Sequence, residues 1–234
     1  MEIISAPSLN YDSRGETPIQ LVVLHYTGMP TGEEALARMR DPAAKVSAHY
    51  MIDEVGSLYA LVPEAARAWH AGRSQWKDIK DVNAASIGIE LVNKGHFWGY
   101  EDFPTLQIKS LLTLLQDIIS RHGVGPAQIV GHSDIAPNRK EDPGEKFPWA
   151  LLAENNLALP PFEGQVRDPS DTSDISYEQV LTMLGDIGYL IEEGCPSAPV
   201  LAFQRRFYPS ALGQGLSPDT RAAIAWVHQQ IKSL

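Results

Sequence analysis

Residues 129–144 read IVGHSDIAPNRKEDPG, and the interpretation of the whole chain starts from this stretch. Its first two residues are apolar, which is typical of the end of a buried strand. The rest carries metal-binding and charged groups, and Pro137, Pro143 and Gly144 predict an irregular loop rather than a helix. A strand that ends in a rigid polar loop is a common setting for an active site.

The composition is ordinary for a globular protein. The 234 residues are 44% hydrophobic and 21% charged, enough for one large domain or for a core domain with a smaller one. The formal net charge of −10 argues against nucleic acid and against a basic membrane-binding surface. No run reaches the roughly 18 apolar residues that a membrane span needs. The sequence gives no oligomeric state.

The compartment is predicted from the first residues and from cysteine usage. Residues 1–16 lack the basic and apolar regions of a signal peptide. The single cysteine, Cys195, excludes an internal disulfide and fits a reducing compartment. We therefore predict a cytoplasmic protein. The alternative is a periplasmic or outer-membrane-associated protein whose export signal is missing from this sequence.

Hydrophobic periodicity predicts an α/β fold with a central mixed β-sheet flanked by helices. The predicted strands are 19–24, 47–53, 57–62, 86–92 and 129–130, with a hairpin turn after residue 53. The predicted helices of this part are 33–40, 104–122 and 147–154.

A change in composition divides the chain. Residues 158–174 are rich in Pro, Asp and Ser and are predicted to be a linker. Residues 1–157 before it form the larger α/β domain. Residues 175–234 after it contain three amphipathic stretches, 176–187, 198–208 and 217–231, which predict a small three-helix domain.

Three side chains are candidates for a metal site. His25 follows the first predicted strand, His132 follows the last, and Asp142 lies in the loop beyond it. Two imidazoles and one carboxylate are sufficient to bind a tetrahedral Zn²⁺ and to leave one position open. From the pattern alone, a satisfied histidine at a strand end and a turn carboxylate before Pro143 are the more frequent alternatives.

Three further residues have side chains suited to catalysis. Glu90 lies among apolar neighbours in SIGIELV, where a carboxylate needs a partner, a cleft or a raised pKa. It is a candidate general base, and a solvent-facing residue of an edge strand is an equal alternative. Lys140 is a candidate for stabilising an oxyanion, and Arg139 for binding a substrate carboxylate. Two solvated surface cations are the alternative for this pair.

Five blocks of the sequence together resemble the zinc-dependent N-acetylmuramoyl-L-alanine amidases. They are LHYT at His25, SAHYMID at His49, AWHAG at His70, SIGIELVN at Glu90 and GHSDIAPNRKEDPG at His132. The blocks occur in the family's order over residues 18–155. The resemblance is to the amidase-2 group, which also includes phage T7-type lysozyme amidases and the peptidoglycan recognition proteins.

The resemblance, carried over position by position, implies a zinc site and a hydrolytic mechanism. The metal ligands fall on His25, His132 and Asp142. The acidic catalytic position falls on Glu90, which exchanges protons with water and the leaving amine, and Lys140 faces the oxyanion. The bond cut is the amide between the lactyl group of N-acetylmuramic acid and L-alanine.

Six further residues are predicted to bind the substrate. They are Tyr26, His49, Trp69, His70, Asn83 and Arg139. For His49 and His70, the sequence favours substrate contact no more than a structural role or a role in orienting the metal ligands.

Residues 175–234 are similar to the three-helix peptidoglycan-binding domain, through LLGDIGYL, AFQRRFYP and LSPDTRAAI. The alternative is a helical cap without ligand affinity. The two-domain arrangement resembles the branch of the family typified by AmiD, whose members often carry export or lipoprotein signals. That resemblance conflicts with the predicted cytoplasmic location.

We therefore predict an amidase that acts on muropeptides, specifically 1,6-anhydro-muropeptides in cell-wall recycling. The alternative is an exported or phage-type amidase that acts on intact peptidoglycan, which the C-terminal domain favours. A non-catalytic peptidoglycan-recognition module is less favoured, because such proteins typically lose residues equivalent to Glu90, Lys140 and Asp142, which are all present here.

Overall fold

The computed structural model describes residues 2–164, 175–192, 194–195 and 197–234. Of the predicted linker 158–174, residues 165–174 lie outside this description. None of the helices described is both long and apolar enough to cross a membrane.

The elements are numbered in chain order. The strands are β1 Ile3–Ser5, β2 Tyr11–Ser13, β3 Leu21–Tyr26, β4 Tyr50–Ile52, β5 Leu58–Ala60, β6 Ala66–Ala68, β7 Ser86–Leu91 and β8 Ile129–Gly131. The α-helices are α1 Gly32–Arg40, α2 Val82–Ala85, α3 Gly95–Trp98, α4 Thr105–His122, α5 His132–Ile135, α6 Trp149–Glu154, α7 Tyr177–Ile187, α8 Ser197–Phe207 and α9 Pro218–Lys232. Two short 3-10 turns are Pro126–Gln128 and Pro209–Ala211.

The fold is built on a mixed six-stranded sheet with the strand order β1-β5-β4-β7-β3-β8. Strands β4, β7, β3 and β8 are parallel neighbours, whereas β5 is antiparallel to β4, as the predicted hairpin requires. Strands β2 and β6 pair separately in an antiparallel sheet. The predicted fold class, a mixed sheet flanked by helices, is confirmed.

Strand β3 is buried on both faces of the sheet. Val22 and Leu24 belong to an apolar cluster that contains the inner side of α4. Leu21 and Val23 belong to a second cluster, which contains Phe203 and other residues of the C-terminal helices. Side chains of a strand alternate between its faces, so the continuous apolar run of β3 packs against two different layers of helices.

The C-terminal helices α7, α8 and α9 occur where the sequence predicts them. Their apolar side chains form one continuous cluster with the sheet, and its members include Val180, Leu184, Ile187, Phe203, Phe207, Ile224 and Val227. The three helices are therefore packed directly onto the α/β part. The division of the chain at residues 157 and 175 stays a prediction.

The stretch 129–144 contains more regular structure than predicted. His132–Ile135 forms the helical turn α5 within the predicted irregular loop. The carboxylate of Asp134 accepts a hydrogen bond from the N–H of Gly131 at 2.7 Å, which caps this turn. The turn stops before Pro137, whose ring does not fit the interior of a longer helix.

Candidate metal centre and active-site cleft

Three parallel strands bring polar side chains to one edge of the sheet. His25 on β3 is in register with Glu90 on β7, so the two side chains point to the same face. Val23 is in register with Val130 on β8, and His132 follows two residues later at the start of α5. The carboxyl ends of parallel strands share one edge, which is where ligands bind in such sheets.

His25, His132 and Asp142 form a buried cluster at this edge. The Nδ1 atoms of the two histidines are 2.9 Å apart, and each lies 3.0 Å from Oδ2 of Asp142. The three residues are only 1%, 4% and 6% exposed. A tetrahedral metal ion with bonds of about 2.0–2.1 Å separates its ligand atoms by about 3.3 Å. The observed triangle therefore has nearly the size of a metal site.

A backbone contact determines which nitrogen of His132 carries its proton. Nε2 of His132 lies 3.2 Å from the carbonyl oxygen of Ala71, which can only accept a hydrogen bond. Nε2 is therefore the protonated nitrogen, and Nδ1 presents a lone pair to the cluster.

A chain of three hydrogen bonds determines the tautomer of His25. The hydroxyl of Ser86 donates to the carbonyl oxygen of Val82, and it accepts from Nε2 of His70 at 3.2 Å. Nδ1 of His70 consequently accepts from Nε2 of His25 at 3.1 Å. His25 is left with a lone pair on Nδ1 that points toward His132 and Asp142.

The cluster therefore consists of three electron-pair donors that face one another without a proton between them. The lone pairs of such donors repel each other, and a cation that binds all three removes this repulsion. Burial lowers the pKa of His25 to about 4, with a further contribution from His132. The imidazole is neutral at pH 7, as a metal ligand has to be. The donor set fits a divalent metal ion.

His70 owes its position to a glycine. A Cβ atom built on Gly88 of β7 would lie 2.4 Å from Cγ of His70, so the imidazole ring rests directly on the backbone of the strand. Burial holds the pKa of His70 well below its ordinary value, which keeps the ring neutral between His25 and Ser86. His70 thus contacts a predicted metal ligand.

Glu90 is the unpartnered carboxylate of the site. Its Oε2 atom is buried and has no hydrogen-bond partner among the residues described. Burial, together with the charge of Asp142, raises the pKa of Glu90 well above its ordinary value. A buried carboxylate oxygen without a partner is unfavourable for folding, and its occurrence in a cleft indicates a group that exchanges protons with a ligand.

The cleft in front of these groups has a volume of about 580 Å³. Nine of the eleven predicted site residues line it: Tyr26, Trp69, His70, Asn83, Glu90, His132, Arg139, Lys140 and Asp142. His25 lies directly behind them, in contact with His132 and Asp142. The predicted set is therefore brought together, with the exception of His49.

His49 lies in the interior and is 0% exposed. Its Nδ1 accepts a hydrogen bond from the N–H of Gly88 at 2.9 Å, and its Nε2 lies 3.0 Å from Nη2 of Arg14. A side chain without exposed surface does not touch substrate. The geometry therefore favours the structural role that the sequence left open for His49.

Two predicted substrate-binding residues also hold the backbone around the cleft. Oδ1 of Asn83 accepts hydrogen bonds from the N–H groups of His70 and Ala71 at 3.0 and 2.7 Å. Nε and Nη2 of Arg139 donate to the carbonyl oxygen of Arg73 at 2.8 and 2.6 Å. The bonds of Asn83 connect α2 with the segment around His70, and those of Arg139 connect the loop 129–144 with Arg73.

Tyr26 forms the side of the cleft nearest α3. Its hydroxyl is hydrogen-bonded to Nδ1 of His96 at 2.9 Å. Burial and the charge of Asp142 raise the pKa of Tyr26 to about 12, so the hydroxyl keeps its proton at pH 7.

Two contributors to the site were missed in the sequence. Ser86 starts β7, and its hydroxyl gave no signal because its partner His70 lies on another segment. Arg14 is 6% exposed and donates to the carbonyl oxygens of Ala66 and Ser86 at 2.9 Å each. An arginine in a polar segment is ordinarily solvated, so nothing in the sequence marked Arg14 as a buried residue.

Comparisons with known proteins identify the family of this chain. The model of the family N-acetylmuramoyl-L-alanine amidase matches residues 15–145. N-acetylmuramoyl-L-alanine amidase AmiD of Escherichia coli K12 is 33% identical over 231 residues, which covers 87% of this chain and 80% of that protein. 1,6-anhydro-N-acetylmuramyl-L-alanine amidase AmpD of the same strain is 38% identical over 163 residues, covering 62% of this chain and 86% of AmpD.

Solved structures extend the similarity beyond the cleft. A complex of Escherichia coli AmiD has a TM-score of 0.80 at 30% identity and covers 94% of this chain and 92% of that chain. AmpDh3 from Pseudomonas aeruginosa has a TM-score of 0.81 at 28% identity, covering 95% and 94%. The chain belongs to the N-acetylmuramoyl-L-alanine amidase family. Its activity is hydrolysis of the amide bond between N-acetylmuramic acid and L-alanine.

Proposed function

We propose that this amidase acts on soluble 1,6-anhydro-muropeptides, as in the recycling of cell-wall fragments, with a zinc ion bound by His25, His132 and Asp142. The observation that carries the proposal is the convergence of three lone pairs beside the unpartnered carboxylate of Glu90. The substrate class is supported by the similar AmiD structure, a complex with the substrate anhydro-N-acetylmuramic acid-L-Ala-D-gamma-Glu-L-Lys. It is also supported by the name of the AmpD relatives.

Two imidazole nitrogens and a carboxylate oxygen are common ligands of zinc in catalytic sites. When bound, Zn²⁺ supplies Lewis acidity, which polarises the substrate carbonyl and lowers the pKa of water in the site. His25, His132 and Asp142 would hold the ion through three side-chain atoms and would leave it able to activate water.

The protein side chains handle the proton and the developing charge. Glu90 accepts a proton from the attacking water as the water oxygen bonds to the amide carbon. Lys140, a cation in the cleft wall, stabilises the negative charge on the carbonyl oxygen. Glu90 then donates the proton to the amide nitrogen as the carbon–nitrogen bond breaks. The products are the lactyl carboxyl group and the free amino group of L-alanine.

The remaining predicted site residues either contact the substrate or stabilise neighbouring parts of the site. We assign substrate contact to Tyr26, Trp69 and Arg139, whose side chains line the cleft. His70 and Asn83 also line it, and each contributes through a hydrogen bond to a neighbouring part of the site. The structural role stated above is assigned to His49.

The test is hydrolysis of purified anhydro-muropeptide and, separately, of intact sacculi, each with and without a chelator. We expect release of the stem peptide from anhydro-muropeptide, loss of activity in the chelator and recovery on addition of Zn²⁺. Activity that survives complete removal of metal would contradict the zinc mechanism. Activity confined to sacculi would contradict the soluble substrate.

Hydrolysis of intact peptidoglycan is the second candidate function. It is favoured by the C-terminal helices, which resemble a peptidoglycan-binding domain, and the sacculus arm of the assay tests it. The cytoplasmic location stays a prediction, and fractionation of the native host with an antibody against this chain checks it.

A further inference from the structure

The loop that contains two of the proposed metal ligands is held by residues far away in the sequence. His132 and Asp142 stand near the two ends of this loop, and the N–H of Ser133 donates to the carbonyl oxygen of Asp142 at 2.8 Å. Helix α8 packs behind α5. Two consecutive arginines of α8, Arg205 and Arg206, contact the loop at separate places.

Arg206 contacts the first end of the loop through Asp134, two residues beyond His132. Nη1 of Arg206 lies 2.7 Å from Oδ2 of Asp134, and the two side chains are 2% and 0% exposed. The hydroxyl of Tyr189 donates to Oδ1 of the same carboxylate at 2.7 Å. The carboxylate that caps α5 thus receives two of its three hydrogen bonds from the C-terminal region.

Arg206 is also fixed to the sheet. Its Nη2 donates to the carbonyl oxygen of Ile129 at 2.8 Å, and its guanidinium lies 4.4 Å from the ring centre of Trp149. A planar guanidinium can make these contacts together, whereas an ammonium group supplies one point of charge. Removing one partner of a buried ion pair leaves the other charge uncompensated, so the geometry of Asp134 depends strongly on Arg206.

Arg205 contacts the second end of the loop. Its Nη2 lies 3.2 Å from Oε1 of Glu141, the residue before Asp142, and its Nε lies 3.6 Å from Oε2 of Glu145. Adjacent residues of a helix point about 100° apart, which lets the two arginines reach opposite ends of one loop.

We propose that Arg205 and Arg206 are positioning residues of the metal centre. In this role, α8 keeps His132 and Asp142 close enough to His25 for all three residues to bind one metal ion. The C-terminal helices thereby have a function in the metal site that is independent of any affinity for glycan. This inference rests on the proposed metal site.

The experiment measures Zn²⁺ affinity of the full chain by competition with a chromophoric chelator. The variants are Arg205→Met, Arg206→Met and Arg206→Lys. The control is His228→Gln, which breaks the 2.8 Å contact between His228 and Asp186 within the C-terminal helices and away from the loop. Circular dichroism and thermal unfolding of the metal-free proteins identify variants that do not fold.

We expect Arg206→Met to weaken zinc binding by about 10–100-fold, the range typical of residues that orient metal ligands. Arg206→Lys restores part of this loss, and Arg205→Met loses about tenfold because its partners are more exposed. The absorption spectrum of bound Co²⁺ changes in these variants, since it reports the arrangement of the ligands. His228→Gln keeps wild-type affinity and spectrum.

If Arg206→Met does not fold, Arg205→Met and Arg206→Lys test the positioning role in its place. Wild-type zinc affinity and Co²⁺ spectrum in both folded variants would overturn the inference. An equal loss in His228→Gln would also overturn it, because the effect would then reflect general destabilisation. A wild-type chain that binds no zinc would contradict the metal site itself, a result distinct from the failure of α8 to position it.

Discussion

The candidate site has two halves that are held in different ways. The strand half consists of His25 and Glu90, which are in register on β3 and β7 in the middle of the sheet. The loop half consists of His132, Lys140 and Asp142, which follow the last strand. Backbone hydrogen bonds between the neighbouring strands β3 and β7 fix the first half within the sheet. The second half depends on contacts with helices more than sixty residues further along the chain.

Because of this difference, we expect mutations in the two halves to have different effects on metal binding and activity. The strand half contributes the proposed base, Glu90, and one proposed ligand, His25; removal of the base alone should leave the three proposed ligands intact. The loop half contributes two of the three proposed ligands, so its disruption should remove the metal and the activity together.

The largest effect is expected for Asp142→Ala in the loop half. The variant loses the only proposed anionic ligand, so it should bind zinc poorly, and hydrolysis should fall by at least about 1,000-fold. Metal analysis after dialysis and an assay on anhydro-muropeptide measure both losses. Asp78→Ala, which removes an exposed carboxylate, is the control. Full zinc stoichiometry in Asp142→Ala would remove this residue from the ligand set.

Glu90→Gln should lower turnover without lowering zinc content, which distinguishes the base from the metal ligands. The amide has the size of the carboxylate but accepts no proton, so turnover should fall by about 10²–10⁴-fold. Zinc content should stay at the wild-type level, because Glu90 is not one of the three clustered donors. Metal analysis and kinetics on one preparation test this separation. Wild-type turnover would show that Glu90 is not the base.

A smaller effect is expected for His70→Phe. The ring still fits over Gly88, but it no longer accepts the proton of His25, so the Nδ1 lone pair of His25 is no longer fixed toward the metal. Zinc affinity should fall by about 10–100-fold. Chelator competition measures it, and thermal unfolding of the metal-free protein is the control for packing. Unchanged affinity in a folded variant would contradict the proposed contribution of His70.

The smallest effect is expected for Ser86→Ala, because Ser86 acts on the metal ligand only through His70. Loss of the hydroxyl leaves His70 in place but frees its tautomer, and we expect zinc affinity to fall by less than about tenfold. The same competition assay measures this change. A loss larger than that of His70→Phe would contradict the order of the hydrogen-bond chain.

Much of the strand half could be predicted from the sequence. The apolar runs before His25 and around Glu90 predict buried parallel strands, and the edge where such strands end is a known position for sites. The predicted ligand roles of His25, His132 and Asp142 rest on the family resemblance, since the pattern alone favoured satisfied histidines at strand ends and a turn carboxylate.

Long-range contacts set the limit of prediction. His49 and His70 are equivalent in the sequence, yet one is buried beside Arg14 and the other lies in the cleft. The consecutive arginines of α8 look like solvated cations in the sequence, because their partners Asp134 and Glu141 are distant along the chain.

The two-sided burial of β3 has a consequence for protein engineering. The odd-numbered face of this strand, Leu21 and Val23, is shaped to receive the C-terminal helices. A chimaera that transplants these helices onto another amidase therefore also needs the matching face of the acceptor's central strand. Both complementary surfaces, the C-terminal helices and the matching face of the central strand, have to be transferred together.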